Sequence, residues 1–174
     1  MEIWDLVDES RKLLGKLHTR GNELQRGEFH VVVEIFTFNA DAQILLTQRD
    51  PLKSYPLLWE STGGSVNAGE GSIDGAIREL EEETGIVVNP ADLQYLGEMK
   101  KGNYFLDSYL YVSTRNIEIS ELILQSGEVC DAKWATLNEL KEMNKMGHIV
   151  PTVWERYQLY HKELETLQKK LMKI

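Results

Sequence analysis

This chain is short of cysteine, proline and positive charge, and each shortage excludes something. One cysteine, Cys130, rules out an internal disulfide and fits a reducing compartment. Four prolines, placed singly, leave no linker or proline-rich recognition tract. No apolar run approaches the roughly eighteen residues of a membrane span. The N-terminal MEIWDLVDES carries charge where a secretory leader needs an apolar core, so a cytoplasmic protein is expected. Nineteen Lys and Arg stand against 28 Asp and Glu, a net charge of −9. That balance argues against general affinity for nucleic acid or anionic membrane. A phosphate-bearing ligand would need a local positive site or a metal.

What remains is a chain of 174 residues, 42% apolar and 27% charged, which suits one globular domain over 1–174. Its most informative stretch is 64–86, GSVNAGEGSIDGAIRELEEETGI. A helix is expected over 72–84, with Ser72 as N-cap and Gly85 as stop. Ile73, Ala76, Ile77 and Leu80 recur at spacings of three and four and form one apolar stripe. Glu79, Glu82 and Glu83 share the adjacent face. Like charges on one face repel, and a bound divalent cation reverses that repulsion. Clustered carboxylates suit hard, oxygen-seeking ions such as Mg2+ or Mn2+.

The flanking elements can be read in order. Residues 2–7 and 13–20 read as an N-terminal hairpin, an extension over about 1–27. Residues 30–38 form a β-branched, aromatic strand, with 43–49 as its hairpin partner across Asn39-Ala40-Asp41. Trp59 reads as a core aromatic, and 86–88 as a short strand. Residues 93–101 and 104–113 read as a hairpin across Gly102-Asn103. In the second strand Asp107 is a candidate to face the active cleft, with an exposed strand carboxylate as the equal alternative. Thr136 is the expected N-cap of a short helix. Pro151 opens a last helix over about 151–173, whose stripe of Trp154, Tyr157, Tyr160, Leu164 and Leu167 suits core or interface, so a homodimer is an allowed arrangement.

The motif itself is Gly64, five residues, Glu70, seven residues, Arg78-Glu79-Leu80, one residue, Glu82-Glu83, one residue, Gly85-Ile86. It resembles the Nudix box at every defined position. The resemblance implies an α/β (α+β) fold, an α/β/α sandwich with a mixed β-sheet. It also implies metal-dependent hydrolysis of the pyrophosphate bond in a nucleoside diphosphate linked to another moiety, or of a related small-molecule diphosphate. By that resemblance Glu82 and Glu83 hold Mg2+ or Mn2+. Glu79 is a metal ligand or the general base, and Arg78 orients it. Glu70 ties the loop to the helix, and the Gly64 carbonyl reaches a metal. Glu128, in the loop after Gly127, resembles the further acidic residue that many such enzymes bring to the metal or the water. Lys53, Tyr55, Tyr104 and Phe105 are possible substrate contacts.

The opening WDLVDE, HTRG and GEFH resembles the isopentenyl-diphosphate isomerase-like branch of the family. That opens a second function, double-bond isomerisation, which in that branch uses a cysteine just ahead of the box and a histidine-rich metal site. Here the cysteine position falls near Gly63, and Cys130 lies far downstream. His18 and His30 alone do not make the histidine cluster. A non-catalytic nucleotide-binding module is a third possibility, although such modules commonly lose box glutamates and this chain keeps them.

Overall fold

The computed structural model describes residues 2–173. β-Branched and aromatic residues dominate the central strand β3 (His30–Phe38), and both of its faces are covered, as a central strand requires. It pairs in parallel with β8 (Tyr104–Val112) from His30↔Tyr104 to Phe38↔Val112. β7 (Leu93–Lys101) pairs antiparallel with β8. On the other side β3 meets β6 (Thr62–Ser65) and, further along, β4 (Ile44–Arg49), which carries β5 (Trp59–Glu60) and β9 (Val129–Ala135). The sheet is therefore mixed. β1 (Ile3–Val7) and β2 (Leu13–Thr19) form a separate antiparallel hairpin.

Period-two alternation in β3 decides what each face buries. Val33 and Ile35 face α1 (Ser72–Thr84), packing with Ala76, Leu80, Val66 and Tyr109. Phe36 and Phe38 face α2 (Leu137–Lys145) and α3 (Pro151–Leu171), packing with Leu140, Val153, Tyr157, Tyr160 and Leu164. These are the two outer layers of an α/β/α arrangement. Leu80 and Leu164 are wholly buried, and truncating either to alanine costs about 2–5 kcal/mol. No helix among the described residues is long and apolar enough to cross a membrane.

Several local expectations are corrected. The strand over 43–49 is not mainly the hairpin partner of β3. The two share one register pair, Phe38↔Ile44, and then diverge because β4 runs beside β9 from Ile44↔Ala135 to Arg49↔Val129. Residues 86–88 form no strand; Ile86 and Val88 instead turn inward as core side chains below α1. The N-cap of α1 is Gly71, not Ser72: the Gly71 N–H donates to the Asp74 carboxylate at 3.2 Å. Ser72 spends its hydroxyl elsewhere, donating to Asp107 and accepting from Tyr109 at 2.9 Å. Thr136 does cap α2, accepting from the Glu139 N–H at 3.1 Å. Gly85 ends α1 with φ 74°, the left-handed region that glycine enters at no steric cost.

Candidate active site

The apolar stripe of α1 fixes its rotation on the sheet, and that rotation turns Arg78, Glu79, Glu82 and Glu83 toward a cleft of about 440 Å³. Strand β6 forms the floor. Gly64 sits there, opposite Val33 of β3, directly beneath Glu79. A methyl group at position 64 would collide with the Glu79 carboxyl group, so the bare backbone is a cradle that any side chain would fill.

Arg78 organises the acidic face. Its Nε donates to Glu70 at 2.8 Å, one terminal nitrogen to Glu79 at 2.8 Å and Glu82 at 3.1 Å, and the other to the Ser65 carbonyl at 2.8 Å. Burial opposes the arginine charge, but the Glu70 and Glu79 carboxylates outweigh it and raise its pKa. The planar fork explains why arginine stands here, since one lysine nitrogen could not reach this spread of acceptors. Glu70 also accepts from the Asn67 N–H at 2.9 Å; these bonds outweigh its partial burial and pull its pKa below the usual carboxylate range. Glu70 thus stands behind the cleft and ties the box loop to the helix.

Glu83 is in a different position. It is 3% exposed. Burial pushes its pKa well above the usual range, and the nearby Glu60 and Glu79 carboxylates push it further. Its own hydrogen bond is a long one, 3.4 Å from the Gly63 N–H. Burial likewise raises Glu79, with Arg78 opposing, and raises Glu60, which is held by two bonds from Arg49 at 2.7 and 2.8 Å. A buried carboxylate among others of its sign is costly unless a cation joins it.

The acidic side chains that line the cleft and could hold a cation, Glu79, Glu82, Glu83 and Glu128, all offer oxygen. That set fits Mg2+ or Mn2+ better than a thiolate- or imidazole-seeking ion. Among the described residues, no three acidic, histidine or cysteine side chains already converge as a closed ligand cage. Mg2+ does not require one, because it keeps several waters and borrows phosphate oxygens.

Glu128 reaches the same cleft from the loop before β9 and pairs with Lys53. The Asp50 N–H donates to the Glu128 carbonyl at 2.9 Å, which fastens the two loops together. Of the possible substrate contacts only Lys53 lines the cleft. Tyr55 points outward, half exposed; Phe105 is buried against Phe29; Tyr104 lies beside His30. Asp107 faces neither cleft nor solvent, being 3% exposed and gripped by Arg11 at 2.7 and 2.8 Å. The cleft also holds residues that sequence reasoning missed: Trp4 and Arg20 from the hairpin, and Arg49 from the end of β4. The acidic total was their one signal, since it required cations to be gathered locally. His18 and His30 do not form a histidine cluster; their rings flank Trp4, with centroids 5.5 and 4.2 Å from it.

The NUDIX domain profile matches residues 28–153. An uncharacterized Nudix hydrolase of Listeria monocytogenes is 38% identical over 157 residues, covering 87% of this chain and 89% of that protein. The fold is shared with a crystal structure from Deinococcus radiodurans, with TM-score 0.68 over 86% of this chain and 92% of that one at 24% identity. It is also shared with the NUDIX domain of Shewanella oneidensis NrtR, solved with ADP-ribose: TM-score 0.63, covering 87% and 96% at 18% identity. A domain profile spanning most of the chain, and a relative alike along nearly its whole length, agree with the box on α1: this chain belongs to the Nudix hydrolase family.

Proposed function

We propose that this chain hydrolyses the phosphoanhydride link of a nucleoside diphosphate joined to another group, with Mg2+ or Mn2+ bound. One observation carries the reading: Glu83 is buried beside Glu60 and Glu79, and only a long hydrogen bond and Lys53, itself paired with Glu128, offset its charge. Glu79, Glu82, Glu83 and the Gly64 carbonyl would hold the cation. When bound, it would neutralise charge on the phosphate oxygens and make a water more acidic.

The chain's own groups supply the rest. Arg78 fixes the Glu79 carboxylate over Gly64, so that Glu79 is placed either as ligand or as base for the attacking water. Glu70 holds Arg78 in that pose. Glu128 would complete the site, and its partner Lys53 would meet a phosphate oxygen. Water attacks phosphorus, its proton passes to a carboxylate, and the P–O bond of the anhydride breaks to leave a phosphate. The ADP-ribose on the Shewanella domain supports a nucleoside diphosphate derivative as the substrate class.

Hydrolysis is favoured over isomerisation. The cysteine position of the isomerase-like branch falls near Gly63, where this chain has no cysteine, and Cys130 is exposed on β9. The histidines are occupied with Trp4. We read 1–174 as one domain with the hairpin as its extension, and infer a cytoplasmic location from its single thiol and its charged N-terminal residues.

The test is nucleotide and phosphate release from a panel of nucleoside diphosphate derivatives and isopentenyl diphosphate, with Mg2+, Mn2+ or chelator, for the natural chain and Glu83→Gln. Metal-dependent cleavage lost in the variant supports the reading. Double-bond isomerisation, or ligand binding without turnover in either form, overturns it.

A further inference from the structure

The hairpin β1–β2 precedes the span matched by the NUDIX profile, yet it walls one side of the cleft. It is fastened at both ends. The Ile3 carbonyl accepts from the Ala68 N–H at 2.8 Å, and the Asp5 carboxylate accepts from the Gly69 N–H at 2.7 Å, which stitches β1 to the box loop. At the turn, Arg11 grips buried Asp107 and stands 5.3 Å over the Phe105 ring. Between these points Trp4 is sandwiched by His18 and His30. The hairpin is therefore a braced wall.

The cation it presents differs from the others in the cleft. Arg49, Lys53 and Arg78 are 13%, 17% and 21% exposed, and their carboxylate partners Glu60, Glu128 and Glu70 are only 15%, 34% and 25% exposed. Arg20 is 55% exposed and pairs with Glu2, itself 41% exposed. Such an exposed pair adds little net attraction, so its guanidinium is the one most readily exchanged for a ligand. The planar guanidinium fork can donate to two oxygens of a phosphate or a carboxylate at once.

Resting on the hydrolase reading above, we propose that Arg20 determines specificity: it leaves Glu2 for an anionic group of the substrate that lies beyond the diphosphate held at α1. The cleft then favours substrates carrying a third phosphate or a comparable anion over those ending in a neutral group.

The test uses imidodiphosphate and diimidotriphosphate, all of whose bridges are P–N–P and resist hydrolysis, titrated with Mg2+ into the full chain by calorimetry. Arg20→Ala should weaken the triphosphate analogue by roughly 10-fold or more, the scale of a hydrogen bond to a charged group. The diphosphate analogue should stay within about twofold, as expected for loss of an exposed pair. Glu2→Gln should tighten the triphosphate analogue, because it frees Arg20; a merely structural role for the pair would not move the two variants in opposite directions. Equal weakening of both analogues, no change in either, or weaker binding in Glu2→Gln overturns the proposal. Since no turnover is needed, a triphosphate preference that depends on Arg20 in a chain that hydrolyses nothing would defeat the hydrolase reading alone.

Discussion

Glu34 and Glu83 are buried almost equally, at 0% and 3% exposed, on opposite faces of one sheet. Glu34, on β3, faces α3, where Arg156 donates to it at 3.1 Å; Ser108 donates at 2.9 Å and Ser61 at 3.2 Å. Burial raises its pKa, and these three partners oppose the rise. Glu83, on α1, has same-sign neighbours in Glu60 and Glu79 and one long backbone bond. Folding supplies the counter-charge on the α3 face. On the α1 face the nearby cation, Lys53, is already paired with Glu128, and the proposed metal would supply the rest. A satisfied buried carboxylate is architecture; an unsatisfied one in a cleft marks a site.

Removing the charge from Glu83 should have the largest effect on function. Glu83→Gln should lower metal-dependent turnover by at least roughly 100-fold, as steady-state assays would show, because the charge proposed to hold the cation is gone. An active variant would erase the distinction between the two faces.

The largest effect on stability belongs to the other face. Arg156→Ala leaves Glu34 buried without its cation, which costs about 3–5 kcal/mol and lowers the melting temperature by roughly 10 °C. The sign of the pH dependence follows from the raised pKa. A carboxyl raised above its ordinary 4.5 binds its proton more tightly when folded, so its ionised form destabilises at neutral pH. The deficit should therefore be greatest at and above neutrality and shrink as pH falls toward 4.5 through the raised range. Denaturant melts at neutral and mildly acidic pH would show it, and a pH-independent deficit would sink the account.

A smaller effect should follow from Gly64→Ala, where the added methyl group displaces the Glu79 carboxyl group. Activity should drop roughly 10-fold or more, as expected when a reacting group is misplaced by about an ångström, while the melting temperature changes little. The smallest change is Ser108→Ala. It removes one partner of Glu34 and should cost about 1–2 kcal/mol in denaturant melts with turnover unchanged.

How much of this was legible in the sequence depends on the range of the interactions. The stripe Ile73, Ala76, Ile77 and Leu80 foretells α1 and its buried face because a helix is a local structure. The same spacing places Arg78, Glu79, Glu82 and Glu83 together. Thr136 is equally local, since its partner is three residues away. The pairing of β4 was legible only in part: its turn at Asn39-Ala40-Asp41 gives one hairpin pair with β3, while its longer partner, β9, begins far along the chain at Val129. Ser72 reads as a cap until Asp107 and Tyr109, distant in sequence, claim its hydroxyl. Arg20 and Trp4 join the cleft only because the hairpin folds back on the box loop. The satisfaction of Glu34 was hidden too, because it depends on Arg156, 122 residues away.

The central claim, that the buried charge of Glu83 exists to hold a divalent cation, is tested most directly by thermal unfolding at pH 8. The natural chain and Glu83→Gln would be stripped with chelator, then melted with and without Mn2+. Without metal the variant should melt higher, because it no longer buries an uncompensated charge. Mn2+ should then raise the melting temperature of the natural chain alone, since only a ligand bound by the folded state stabilises it. A variant that melts lower without metal, or that responds to Mn2+ as strongly as the natural chain, would contradict the claim.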